Sequence, residues 1–259
     1  MTLPSLAHVR LLLIRFWYEY RQVWRAQFMR DFMDRLIYLL AFGFGMGGLM
    51  AASHGSNYMA FLVPGIASAT GVFVMTLAMT FGVWERAIST RLWPAWLATP
   101  VRLSDILLAE LIYAALRALP SVLILLFIAY LWLDALPSLT GAFFSLPILF
   151  LANLSMGAVA LCFTVHIQRT MHFAYVNTLW TTPMFLFGGT FFDMSHAPLP
   201  MQYLSQLFPL THVLALTRPL MLGEPLSLTT LALSLTILTT LFLAGFSYAN
   251  WQFNKRLLN

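Results

Sequence analysis

The side chains able to do chemistry are few, and they are gathered. Of the chain's 14 basic and nine acidic residues, Glu85, Arg86, Arg91, Arg102, Asp105 and Glu110 all fall between Trp84 and Glu110, whereas Leu36 to Trp84 carries no charge. Nucleotide hydrolysis by the Walker route needs a Gly-rich phosphate loop ending in Gly-Lys-Ser/Thr. The only lysine is Lys255, so that loop is absent. A catalytic metal on a helix needs histidines at His-x-x-x-His or His-Glu-x-x-His spacing, and His8, His54, His166, His172, His196 and His212 provide neither. A serine hydrolase elbow, Gly-x-Ser-x-Gly, is also missing. Cys162 stands alone in an apolar run and reads as packing. What remains for catalysis is the thin set Asp193, His196 and His212, which only weakly meets the need of a lipid- or sugar-modifying membrane enzyme for a polar cluster near an interface.

The elements that must position these residues are set by composition. The chain is 60% hydrophobic and 9% charged, with a mean hydropathy of +0.80, far from the roughly 25% charged residues of soluble domains. Uncharged runs over Leu36–Trp84, Ala135–Gln168, Thr170–Phe192 and Pro225–Asn254 each exceed the roughly 20 residues that cross a bilayer as helix. The expected class is an all-α integral membrane protein. A net charge of +5 and a pI near 9.7 do not make a nucleic-acid surface, because the arginines are spread along loops beside apolar runs. Acidic residues inside the expected spans, the mark of ion-coupled carriers, are missing. Asp134, Asp193 and Glu224 fall at predicted external edges.

Residues 1–34 read as an interfacial helix followed, over residues 35–259, by a six-span membrane domain. Leu6, Val9, Leu13, Phe16, Tyr20 and Val23 follow helical spacing, with Arg15, Arg21 and Arg25 opposite. No signal-peptide pattern is present, so the mature chain is expected to start here. The predicted spans are about Arg35–Met50, Tyr58–Val83, Leu111–Leu133, Phe143–Val165, Tyr175–Phe187 and Leu226–Phe246. Gly43 and Gly47 form a Gly-x-x-x-Gly pair suited to close helix approach. Between the last two spans, over residues 188–224, Pro198, Pro200, Pro209 and Pro219 divide apolar pieces too short to span; they read as short helices folded back into the outer leaflet. With this layout every basic residue except Arg218 lies on one side, which places both termini in the cytoplasm.

This order of features resembles the ABC type-2 permease family. The resemblance rests on YMAFLVPGI at Tyr58–Ile66, LATPVRLSDILLAE at Leu97–Glu110, and the two glycines, Leu-Pro, Pro-Leu and Arg of Gly188–Gly223, and it covers essentially the whole chain. PLTH followed by TRPLMLG is most similar to the nodulation-type branch, whose members export lipo-oligosaccharide signals. Other permeases of the family serve drugs, polysaccharides and lipids, and the cargo residues form no portable motif.

The resemblance implies a type V exporter-like fold in a bacterial inner membrane. It implies a homodimer of this chain with two copies of a separate ATPase that binds ATP and Mg, and no cofactor on this chain. The island at residues 84–110 would couple to that ATPase through Glu85, Arg86, Arg91, Thr99, Pro100, Arg102, Ser104 and Asp105. A helix around Thr99–Ala109 would fit a groove on the partner, with Ser104 as its N-cap and Asp105 in its first turn. Alternating access would carry an amphiphile outward past Phe73, Met75, Met79, Phe81, Phe185 and Phe187, with His212 and Arg218 as an external gate.

Overall fold

The computed structural model describes residues 4–45, 58–131, 135–169 and 171–257, which are helical and contain no strand. Helix α1 (Leu6–Tyr38) continues as a π-helical segment, Leu39–Phe44. Helix α2 (Tyr58–Leu77) continues through the π-helical segments Ala78–Gly82 and Glu85–Ser89. A short α3 (Leu92–Leu97) leads by a turn into α4 (Leu103–Leu131), and α5 is Leu139–Thr164. Helix α6 (His172–Val176), a π-helical segment (Asn177–Thr181) and α7 (Thr182–Phe187) form one run. The 3-10 turn Met194–His196, α8 (Leu199–Gln206), α9 (Pro209–Leu222) and α10 (Leu228–Leu257) complete the chain.

Among the described residues, four helical stretches are long and apolar enough to cross a membrane: Tyr58–Ser89, Leu103–Leu131, Leu139–Thr164 and Leu228–Leu257. Helix is the form these sequences must take in lipid, where every backbone group has to be satisfied within the segment. The run over residues 172–187 is shorter. The expected first span leaves the described residues at residue 46, and Gly47, His54 and Asp134 lie outside them too.

Helix α5 sits at the centre, against α2, α4, α9 and α10. Its contacts follow the logic of a bilayer, where helices attract through close packing and hydrogen bonds more than through burial. Gly157 abuts Met75 and Leu111, and Gly141 abuts the Leu220 carbonyl; a methyl group at either would collide. Ser155 Oγ donates to Leu238 O (2.7 Å), and Thr164 Oγ1 to Met79 O (2.7 Å). The apolar window of α2 is 78% buried and that of α10 only 17%, so α10 forms the rim.

Helix α1 crosses residue 34 without a break and runs beside α4 in the same direction. Asp105 meets Ser5 and His8, Tyr113 stacks on Phe16, and Ser121 donates to Asp31. The stripe that packs is therefore narrower than the sequence pattern. Val9, Leu12 and Phe16 are buried against the bundle, whereas Leu6 and Val23 are exposed.

Candidate functional site

The charged island is built from the end of α2, the short helix α3 and the start of α4. The second π-helical segment of α2 turns Arg86 inward, where Nε and Nη2 donate to the two carboxylate oxygens of Glu110, both at 2.6 Å. Glu110 is wholly buried and Arg86 one-quarter exposed. Fork-to-fork pairing of this kind fixes orientation as well as charge. The Arg86 guanidinium lies 5.9 Å from the Phe16 ring, so the pair also touches α1.

A second buried carboxylate clamps the chain's first helix. Asp105 accepts from the Ser5 backbone N–H (2.7 Å), the Arg102 N–H (3.0 Å) and His8 Nδ1 (3.0 Å). The Arg102 bond is the reciprocal half of a capping box. It also corrects the expected cap. Helix α4 begins at Leu103, Arg102 O accepts from Ile106 N (3.2 Å), and Arg102 therefore occupies the cap position. Ser104 lies inside the first turn, with its Oγ buried and unpartnered.

The expected helix over Thr99–Ala109 is divided. Residues 98–102 form a turn, Leu103–Leu107 are buried, and α3 is the short helix on the surface. Trp93 anchors α3 in the core against Phe253 (5.3 Å), while Trp96 holds it to α1 through Arg15 (4.4 Å) and Phe16 (6.1 Å). Of the eight predicted coupling residues, Glu85, Arg91, Thr99, Pro100 and Arg102 are exposed; Ser104 and Asp105 are fully buried and Arg86 largely so. The buried ones can act on a partner only by holding the surface that meets it. Arg91, at φ 53°, is the one described non-glycine residue in the left-handed region, and it makes the corner between α2 and α3.

Sequence reasoning missed the partners that complete these clamps: Glu110 as the mate of Arg86, Ser5 and His8 on Asp105, and Ser121 on Asp31. The one available signal was an acidic residue in an apolar helix. Glu110 lies two turns inside α4, so the expectation that spans hold no acid is corrected there.

The predicted path residues separate by face. Phe73 packs edge-on to Phe185 (4.9 Å), which in turn meets Phe191 (4.9 Å), and Phe81 meets Phe173 (5.5 Å). Phe187 is half-buried and packs against the core. Met75 and Met79 are fully buried near Gly157, with Met75 on the opposite side of α2. A hundred degrees per residue explains the split, since positions 73, 77 and 81 share a face that position 75 does not.

At the other end, α8 and α9 are the two short helices expected between residues 188 and 224. Arg218 Nη2 donates to Gly189 O (2.8 Å), and its guanidinium stacks 3.7 Å from Phe61. His212 is buried with Nε2 at 3.0 Å from Gln206 O. Burial would raise the Asp193 carboxyl, but the Ser195 N–H (2.9 Å) and nearby Arg218 outweigh it and hold the group below its ordinary range. His212 and Asp193 thus answer to different partners and form no hydrogen-bonded pair.

The model of the family described as ABC-2 type transporter matches residues 8–222. Nodulation protein J of Rhizobium meliloti (strain 1021) is 31% identical over 208 residues, covering 80% of this chain and 78% of that protein. Nodulation protein J of Sinorhizobium fredii (strain NBRC 101917 / NGR234) is 30% identical over 217 residues, 82% of each chain. That of Rhizobium leguminosarum bv. trifolii is 30% identical over 205 residues, 77% of this chain and 76% of its own.

Proposed function

The chain belongs to the ABC-2 type transporter family, and from that premise we propose that it works as the permease of an exporter driven by two copies of a separate ATPase. Two copies of the chain, each with six spans and cytoplasmic termini, enclose a central path in the inner membrane. ATP and Mg are handled by the partner. The cargo is an amphiphile, a lipo-oligosaccharide or similar glycolipid, taken from the cytoplasm or inner leaflet and released outward by alternating access.

The observation that carries this reading is the buried Arg86–Glu110 pair. It welds the end of α2 to α4 beside the exposed helix α3 and the turn over residues 98–102. A push on that surface is transmitted to α2 as a rigid displacement, because the pair and the Asp105 clamp leave the three elements little freedom to slip. Glu85, Arg91, Thr99, Pro100 and Arg102 are the contact residues; Arg86 and Asp105 hold them. On the path side, Phe73, Phe81 and Phe185 offer an aromatic wall, and Arg218 with His212 shapes the outer exit.

The test is purification of the tagged chain from its own membranes in mild detergent, followed by native mass determination. Two copies of the chain with two copies of a nucleotide-binding protein, lost when Arg91, Thr99 and Arg102 are replaced together by Ala, is the expected result. A folded chain that purifies repeatedly without a nucleotide-binding partner overturns the reading.

A further inference from the structure

A charge without a counter-ion stands in the apolar helix α4. Arg117 lies two turns past Glu110, in a span where a charge is expensive and marks function. Its guanidinium meets a neutral group. With the amide oxygen of Gln27 turned toward it, Arg117 donates through Nε (2.7 Å) and Nη2. The carboxylates on this side are engaged elsewhere: Glu110 holds Arg86, Asp31 takes Arg30 and Ser121, and Glu19 takes Arg15 (3.2 Å).

Beside Arg117 a groove of about 460 Å³ opens between α1 and α4. Its walls include Leu13, Ile14 and Trp17 of α1 and Leu116 and Pro120 of α4, and its second charged residue is Arg10. Arg10 is exposed and makes no ion pair among the described residues. A second groove, of about 340 Å³ and lined by apolar residues alone, lies between α4 and α5 beside Leu119, Phe143 and Phe150. The two meet at Leu116, which lines both and is 49% exposed. Leu123 and Phe127 continue the same exposed face of α4 at helical spacing.

This arrangement selects its occupant by charge and by shape. A neutral head group would leave both guanidinium charges uncompensated. A phosphate–ammonium head supplies an anion but sets its ammonium beside two arginines, and neither groove is lined by a carboxylate to receive it. An anionic phosphodiester head brings the missing charge alone, and the guanidinium fork matches phosphate oxygens. Two acyl chains on one head answer two apolar grooves that share one edge.

We infer that the two grooves hold one anionic diacyl phospholipid, with its head group on Arg10 and Arg117 and its chains on either side of Leu116. Basic pockets between membrane helices bind head groups of this kind. The inference goes beyond the exporter reading and uses neither its ATPase nor its cargo. The lipid is a fixed part of the wall where α1 lies on α4, and it covers Ile14 and Trp17, which the protein itself leaves exposed.

The experiment places the full chain in phosphatidylcholine nanodiscs, without an ATPase, and titrates in phosphatidylglycerol or phosphatidylcholine carrying a photoactivatable acyl chain. Labelled peptides are mapped by mass spectrometry. Phosphatidylglycerol should label the peptides that line the two grooves at about tenfold lower concentration than phosphatidylcholine does. Arg10→Gln should weaken that labelling about fivefold, and Arg10→Gln with Arg117→Gln about tenfold or more, down to the phosphatidylcholine level. Leu116→Trp fills the point where the grooves meet and keeps every charge; it should weaken labelling by a similar factor, with thermal melting confirming that the variants fold. Equal labelling by the two lipids makes this face an ordinary lipid boundary and overturns the inference. So does labelling that all the variants leave unchanged. Peptides that neither lipid labels, but that cross-link to a second copy of the chain, overturn it too and make the face an interface. A chain that captures no ATPase removes the exporter reading and leaves this site standing.

Discussion

The charged island and the segment over residues 188–224 both hold buried polar groups, but they hold them across different distances along the chain. In the island, Asp105 bonds to Ser5 and His8, about a hundred residues away, and Glu110 pairs with Arg86 in another helix. In the later segment most side-chain bonds are local, and two neutral ones reach α2: Tyr58 Oη donates to Phe191 O (3.3 Å), and the Ser68 and Thr217 hydroxyls meet at 3.1 Å. Thr211 donates to Ser205, His212 meets Gln206, and Gln202 donates to Ala197, while Thr211 and Arg218 reach back to Gly188 and Gly189. The island is thus a junction that joins three helices through buried charges, and the later segment is folded mostly on itself and tied to α2 by neutral hydrogen bonds and the Arg218–Phe61 contact. Damage to the first should spread, and damage to the second should stay where it is made.

The strongest way to break this comparison is Glu110→Ala. It strands the Arg86 guanidinium in a site built for a pair, and removing one partner of a buried ion pair costs about 3–5 kcal/mol. Thermal unfolding of the purified chain should fall accordingly, and ATP-dependent export should vanish. Arg86→Leu with Glu110→Leu should regain most of the stability, because apolar replacement of a buried pair is often neutral, yet export should remain lost. A Glu110→Ala chain that melts like the parent would mean the junction is not held there.

Asp105→Ala comes next, at about 2–3 kcal/mol for a carboxylate that accepts three bonds. Its signature is positional. The start of α1 should become open to limited proteolysis while residues 188–224 keep their amide protection. Arg218→Leu is the mirror experiment, with an expected loss of about 1–2 kcal/mol from one hydrogen bond and a cation–π contact. Hydrogen exchange should quicken around Gly189 and leave α1 untouched. If it also loosened α1, the two ends would be one cooperative unit and the comparison would fail.

What could be read in the chain beforehand follows the same division. The membrane helices were legible because lipid enforces them. The predicted spans over 111–133, 143–165 and 226–246 correspond to Leu103–Leu131, Leu139–Thr164 and Leu228–Leu257, each extended where a helix runs on past the apolar core. The two short helices after Gly189 were legible from their prolines. The island's charges were visible, but their pairing was not, because nothing in a linear pattern links His8 to Asp105 or Asp31 to Ser121. Ser104 was misplaced for a smaller reason: a two-residue shift in where α4 starts hands the cap to Arg102 and leaves the hydroxyl idle. Which of the path candidates are buried was not legible either, since it depends on helix facing: Met75 and Met79 are fully buried, whereas Phe73 is half-buried and Phe81 exposed.

The finest test concerns Arg91, where surface contact and backbone strain compete in one residue. Its φ of 53° costs a residue with a side chain about 1–2 kcal/mol, and glycine would relieve that. Glycine also enlarges the unfolded ensemble, at about 0.5–1 kcal/mol, so Arg91→Gly should stabilise the isolated chain by no more than about 1 kcal/mol. Arg91→Ala keeps the strain and should leave stability within about 0.5 kcal/mol of the parent, as for other exposed positions. Both variants remove the guanidinium. If the ATPase reads that group, both should lose affinity for the partner alike, although one chain is more stable than the other. If only Arg91→Gly loses it, the partner instead reads the rigidity of the corner between α2 and α3, and the junction extends to the surface itself.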